Sequence, residues 1–195
     1  MNYPTRDAPP RALVEYYRLL RQHGLNDSHS GNASVGGARL FWITPRGCCA
    51  DTLAESDLVA CETGQALPAN ASLDAALHQA IYDSLPQAAA VIHCHGPHAI
   101  ALSMDGDDFV PGDFEGQYYF DRVPVLSIDY ADYLAKAPAA VAAAMSDSTV
   151  VMVRGHGIYA RGEDLDQAYK WCASLESSAR IAWLHHMLAE KGTRA

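Results

Sequence analysis

Residues 90–97 read Ala-Val-Ile-His-Cys-His-Gly-Pro, and His98 follows at once. Imidazoles are neither common core filler nor common surface filler, so three within six residues after an apolar run ask for a reason. Taken as a strand, Ala88 to His93 alternates sides, and residues two apart share a face. His93 and His95 then project together, a two-ring geometry suited to a metal ion. Cys94 points to the opposite face, and His98 falls outside the pair.

Working outward, helices and short strands follow one another without a linker or a repeat. Asp7 to Gly24 carries a cap-like Asp and places Leu13, Tyr16, Tyr17 and Leu20 at helical spacing, with Gly24 as the stop. Ser30 to Gly37, rich in Gly, Ser and Asn, reads as a loop. Leu40–Thr44 and Leu58–Glu62 read as strands, and Ser72–Ser84 as a helix with Asp74 in its first turn. A helix through Ile100 follows the histidine strand. Next come a strand at Pro124–Ile128, an alanine-rich helix at Tyr130–Met145 and a β-branched strand at Thr149–Arg154. A long helix, Leu165–Glu190, is the last element. Helices flanking short strands predict an α/β layered domain spanning residues 1–195. Gly36-Gly37 suggests a tight hairpin, so antiparallel neighbours are expected, without parallel crossovers.

With 195 residues, 49% of them hydrophobic, the chain can bury one good core. A net charge of -9 and the lack of a basic stripe argue against general nucleic-acid binding, although a few placed donors suffice for one small anion. No stretch of about 18 apolar residues suggests a membrane span, and residues 1–10 lack a signal-peptide core. Cys48, Cys49, Cys61, Cys94 and Cys172 are an odd set without zinc-ribbon spacing. They read as reduced thiols of a cytoplasmic protein.

The strand at 149–154 runs into Gly155-His156-Gly157. Two glycines around a histidine let the backbone turn closely and aim the ring. His93, His95 and His156 would supply three imidazoles from two strand ends. Three neutral histidines and an open position make the ligand set of a catalytic zinc site. The rival account, chance or hydrogen bonding, suits an isolated His-x-His better than it suits this combination.

Gly31-Asn32-Ala33-Ser34, Ile43-Thr44-Pro45-Arg46-Gly47, His93-Cys94-His95 and Arg154-Gly155-His156-Gly157 occur in one order. In that order, over about Leu13 to Leu188, the chain resembles the class II aldolase/adducin family. The resemblance implies a three-layer α/β/α sandwich around a mainly antiparallel sheet, and a homotetramer with sites between subunits. His93, His95 and His156 match the family's metal ligands, for Zn2+ or another divalent ion such as Mn2+, Co2+ or Fe2+. Such an ion stabilises the enediolate left when a neighbouring bond breaks, while a carboxylate shuttles the proton.

The acid of the family's aldolases is a Glu in a Ser-Ser-Glu turn, four residues before a His. Asp74 stands there in Ser72-Leu73-Asp74, four before His78, one methylene shorter than Glu. A carboxylate that merely favours the helix dipole is the competing reading. Gly31, Asn32, Gly47 and Ser72 match the family's anion pocket. Leu73 replaces its second serine and Arg46 its threonine, which favours bidentate recognition of a phosphate or carboxylate. Glu115 falls near the catalytic glutamate of the family's dehydratases, and Tyr118 and Tyr119 follow as candidate phenolic donors. His185-His186 matches no ligand motif and is expected to face solvent.

These features imply a metal-dependent lyase that cleaves a C–C bond of a small anionic hydroxy-ketone, a sugar phosphate above all. A dehydratase of the methylthioribulose-phosphate type, a decarboxylase of a small hydroxy or keto acid, and a silent adducin-like scaffold are the alternatives. Asp74 favours the lyase, because the dehydratases do without that carboxylate. Retention of three histidines and an acid speaks against the scaffold.

Overall fold

The computed structural model describes residues 8–192, so the cap assigned to Asp7 lies outside the described residues. Seven strands form one sheet in the order β3-β2-β1-β4-β7-β6-β5. They are β1 Asn32–Gly36, β2 Leu40–Ile43, β3 Val59–Glu62, β4 Ala90–Cys94, β5 Val125–Leu126, β6 Val150–Val153 and β7 Gly157–Gly162. The helices are α1 Arg11–Gln22, α2 Ala75–Ser84, α3 Pro97–Ser103, α4 Phe114–Tyr119, α5 Tyr133–Ala144 and α6 Leu165–Gly192.

Strand alternation sorts the core into two layers. Ala90, Ile92 and Cys94 of β4, with Ile158 and Ala160 of β7, pack against α1, α3 and α6. Val91, Val151, Val153 and Tyr159 pack on the other side, against α2 and α5. The result is the expected α/β/α sandwich. Its middle strands β4 and β7 are fully covered, so they read as near-continuous apolar runs. Cys94 indeed turns away from His93, and the five cysteines are all unpaired. No helix among the described residues is long and apolar enough to cross a membrane.

Two expectations need correcting. Residues 32–36, read as loop, are β1, which pairs with β2 on one side and β4 on the other. Those two ladders override the weak strand propensity of Asn, Ser and Gly. The expectation of no parallel crossovers fails for one pair, since β5 and β6 run parallel. The alanine-rich helix α5 between them is the crossover that a parallel pair requires. Residues 114–119, given no element from the sequence, form α4, whose N-cap Asp113 accepts a hydrogen bond from the Gly116 N–H at 2.9 Å.

Candidate active site

The site lies where β4 ends beside the β6–β7 hairpin. Register sets His93 opposite Tyr159 and Cys94 opposite Ile158. The hairpin pairs Val153 with Gly157, leaving Arg154, Gly155 and His156 at its tip. Gly155 has φ +65°, the left-handed region that glycine enters without a Cβ clash. The tip thereby returns His156 to the His93–His95 pair. Ring centroids are 4.6 Å apart for His93–His95, 4.7 Å for His93–His156 and 5.2 Å for His95–His156.

One nitrogen from each ring lies within 4.8 Å of the other two. His93 Nδ1 donates to the Ile158 carbonyl at 2.9 Å, which leaves the Nε2 lone pair for the cluster. Burial pushes the pKa of His93 well below the ordinary histidine value and that of His95 down to about 4; it also lowers His156. The rings are therefore neutral near pH 7, as ligand nitrogens must be. Donor type, spacing and protonation all fit a divalent ion. His98 stands apart, its Nδ1 2.6 Å from Glu176 Oε1 on α6.

Gly157 is required by space. A Cβ there would come within 2.4 Å of the Cys94 carbonyl oxygen, 2.9 Å of His93 Cε1 and 3.0 Å of His95 Cδ2. Gly157→Ala should therefore spread the two rings and weaken any divalent-ion binding there by at least ~10-fold, as displaced ligand support does. Zinc titration of the folded variant checks this, and unchanged affinity would mean that the hairpin gives way instead.

Asp74 occupies the N-cap position of α2, yet its side chain makes no capping bond. The carboxylate, 7% exposed, turns into the site. Oδ2 accepts from Asn32 Nδ2 at 2.9 Å and from the Tyr159 hydroxyl at 3.2 Å, and stands 3.9 Å from His93 Nε2. Oδ1 accepts from the Tyr133 hydroxyl at 2.8 Å. Burial alone would raise the pKa of this carboxyl. The proximity of His93 and the bonds from Asn32 and Tyr133 outweigh it and hold the group below the usual range. The ionised carboxylate thus has three donors and stands beside three imidazoles, partners that the helix-dipole account does not explain. His78, fully buried one turn on, bonds Ser34 Oγ through Nδ1 at 2.7 Å, as a structural histidine does.

The remaining residues divide. The Arg46 N–H donates to the Asn70 carbonyl and Pro45 bridges Ala71, so the Arg46-Gly47 turn sits beside Ser72. Ser72 Oγ accepts from the Asp74 N–H at 3.3 Å. The Arg46 side chain is exposed and lines an open groove of about 530 Å³ with Cys48, Cys49 and Ser56, a groove that none of the three histidines lines. Gly31 packs on the Asn26 side chain, whose Oδ1 accepts from the His95 N–H at 2.9 Å. Glu115 and Tyr118 are exposed on α4, which packs on α6 in the layer opposite Asp74. Tyr119 packs against Trp171 of α6. The histidines and Asp74 are thus brought together, and Glu115 is not brought to them within this chain. His185 and His186 are exposed, as expected. Sequence reasoning does not single out Asn26, Tyr133 or Tyr159, whose partners lie far along the chain.

Residues 11–183 match the family described as class II aldolase and adducin N-terminal domain. The chain belongs to that family. Among relatives of this class II aldolase-family chain is the L-fuculose phosphate aldolase of Methanococcus maripaludis, 26% identical over 91% of this chain and 97% of that protein. The methylthioribulose-1-phosphate dehydratase of Gluconobacter oxydans is 30% identical over 85% of this chain and 86% of that protein. In three dimensions the chain is similar to the crystal structure of L-fuculose-1-phosphate aldolase from Thermus thermophilus. The TM-score is 0.81 at 31% identity, covering 90% of this chain and 93% of that one.

Proposed function

We propose that this class II aldolase-family chain is a divalent-metal-dependent lyase that cleaves a C–C bond of a small hydroxy-ketone phosphate. The observation that carries the reading is the ionised, buried Asp74 carboxylate 3.9 Å from His93 Nε2, inside the three-histidine cluster. His93, His95 and His156 would hold the ion. When bound, the ion supplies positive charge beside the ketone and hydroxyl oxygens of the substrate. Asp74 removes the proton of the hydroxyl on the carbon that departs. That O–H pair becomes the second bond of the aldehyde carbonyl, and the C–C pair stays on the ketone-side carbon. Asp74 then returns the proton to that carbon.

Arg46, the Gly31-Asn32 and Gly47 backbones and Ser72 would bind the anionic end. A fork-shaped guanidinium beside glycine-turn N–H groups suits a phosphate. Arg46→Ala should raise KM for anionic substrates by at least ~10-fold, the loss expected for one charge-assisted pair, with kcat little changed. An unchanged KM returns Arg46 to a surface role. We also propose a cytoplasmic homotetramer. Phe114 and Tyr118 on α4 and Leu184 and Leu188 on α6, all exposed in the single chain, support an assembly surface.

Dehydration is the second reading, favoured by the 30% identity to a methylthioribulose-phosphate dehydratase. A panel of ketose 1-phosphates with zinc-loaded protein separates the two. Aldehyde release supports the lyase, whereas water loss without aldehyde transfers the chain to the dehydratases.

A further inference from the structure

His95 lies just past β4 and His156 at the hairpin tip, yet one short helix is tied to both neighbourhoods. Helix α3 starts two residues after His95, and Glu176 of α6 grips that end. Its Oε1 accepts from the His98 N–H at 3.1 Å and from His98 Nδ1 at 2.6 Å, and its Oε2 from the Ala99 N–H at 3.0 Å. These are charge-assisted bonds, two of them to N–H groups that a helix start leaves unpaired, so the anchor is firm. Gly96 fits closely against it: a Cβ there would come within 2.5 Å of Glu176 Oε2. At the other end of α3, Ser103 is 1% exposed. Its hydroxyl donates to the Ile100 carbonyl at 2.8 Å and accepts from the Gly155 N–H at 2.9 Å, next to His156. Arg154 Nε donates to the Met104 carbonyl at 2.7 Å, a second tie from the tip to the end of the helix.

We propose that α3 is a strut that fixes the separation of His95 and His156, with Glu176 and Ser103 as positioning residues at its two ends. That role rests on the reading of the three histidines as metal ligands. A hydrogen-bonded helix is stiff along its axis, whereas Arg154 and Gly155 at the tip are exposed and have little packing of their own. Without the Ser103 bond the tip swings; without the Glu176 grip the helix slides. Either failure moves one ring away from the others. The two ends therefore act in series, and once one is free the other transmits nothing.

Zinc affinity of Ser103→Ala, Glu176→Gln and the double variant tests the series arrangement. Ser103→Ala should fold, since Gly155 is exposed and water can take up its N–H. Glu176→Gln keeps the size of the side chain but sets an amide N–H₂ against a donor. Each single change is expected to weaken zinc ~10-fold, the low end for loss of an outer support of a metal ligand. The double variant should also lose ~10-fold, not the ~100-fold of two independent effects. Visible absorption of Co2+ bound in place of zinc should weaken in all three, as it does when water joins a four-ligand set. A fall in thermal stability alone does not produce that signature. Should Ser103→Ala fail to fold, Arg154→Ala cuts the second tie at an exposed position and is expected to follow the same pattern. An additive double variant overturns the strut, and so does wild-type zinc affinity in the folded single variants. If the wild-type protein takes up neither zinc nor cobalt, the metal reading fails and the strut with it; normal wild-type uptake beside unchanged variants overturns the strut alone.

Discussion

Asp74→Asn is expected to lower kcat by ~100- to 10,000-fold while leaving zinc content intact. The change keeps size and shape and removes the negative charge that takes up a proton. In barrier terms the loss is about 3–5 kcal/mol. Zinc should be retained because Asp74 is not among the clustered ligands; its nearest approach is 3.9 Å, to His93 Nε2. Measured beside Glu115→Gln, the variant also decides the reaction type. A lyase run by Asp74 leaves Glu115→Gln near wild type, as expected for an exposed side chain on α4. A dehydratase run by Glu115 reverses the pattern, and the lyase reading then falls. If both variants are dead, the two acids share proton transfer and product analysis assigns the reaction. If neither variant changes a measurable rate, the silent scaffold gains ground.

Much of the three-histidine cluster was legible because it rests on local geometry. Two-residue alternation is enough to pair His93 with His95 and to turn Cys94 away. The glycines around His156 announce a tight turn that aims a ring. Asp74 was legible as a candidate proton shuttle, but its sequence position fits a helix N-terminus equally well. What separates the two roles is its partners, and Tyr133 and Tyr159 lie 59 and 85 residues away along the chain. Single-sequence periodicity carries no signal over that separation. Strand β1 was hidden for a related reason: its Gly, Ser and Asn content is loop-like, and its strand character comes from neighbours at residues 40–43 and 90–94. The parallel β5–β6 pair was within reach, since a helix of α5's length between two apolar runs is what a crossover looks like.

His156→Ala should abolish stable zinc binding while leaving the protein folded. Among the three clustered histidines, His156 offers the cleanest test. His93 is 1% exposed, stacks on Tyr159 at 4.0 Å and bonds Ile158, so truncating it would open a cavity in the sheet and confuse unfolding with metal loss. The backbone N–H of His95 is fixed by Leu25 and Asn26, which couples its surroundings to the Gly31 loop. His156 sits half-buried at a hairpin tip, where its removal empties little packed space. Loss of an outer hydrogen-bond partner of a metal ligand costs about 10- to 100-fold in affinity. Loss of one of three ligands should exceed that, because the two remaining nitrogens cannot fill a tetrahedral set. Elemental analysis after dialysis, with circular dichroism as the folding control, reads the result. Full zinc occupancy in folded His156→Ala would remove His156 from the site and leave His93–His95 a hydrogen-bonded pair.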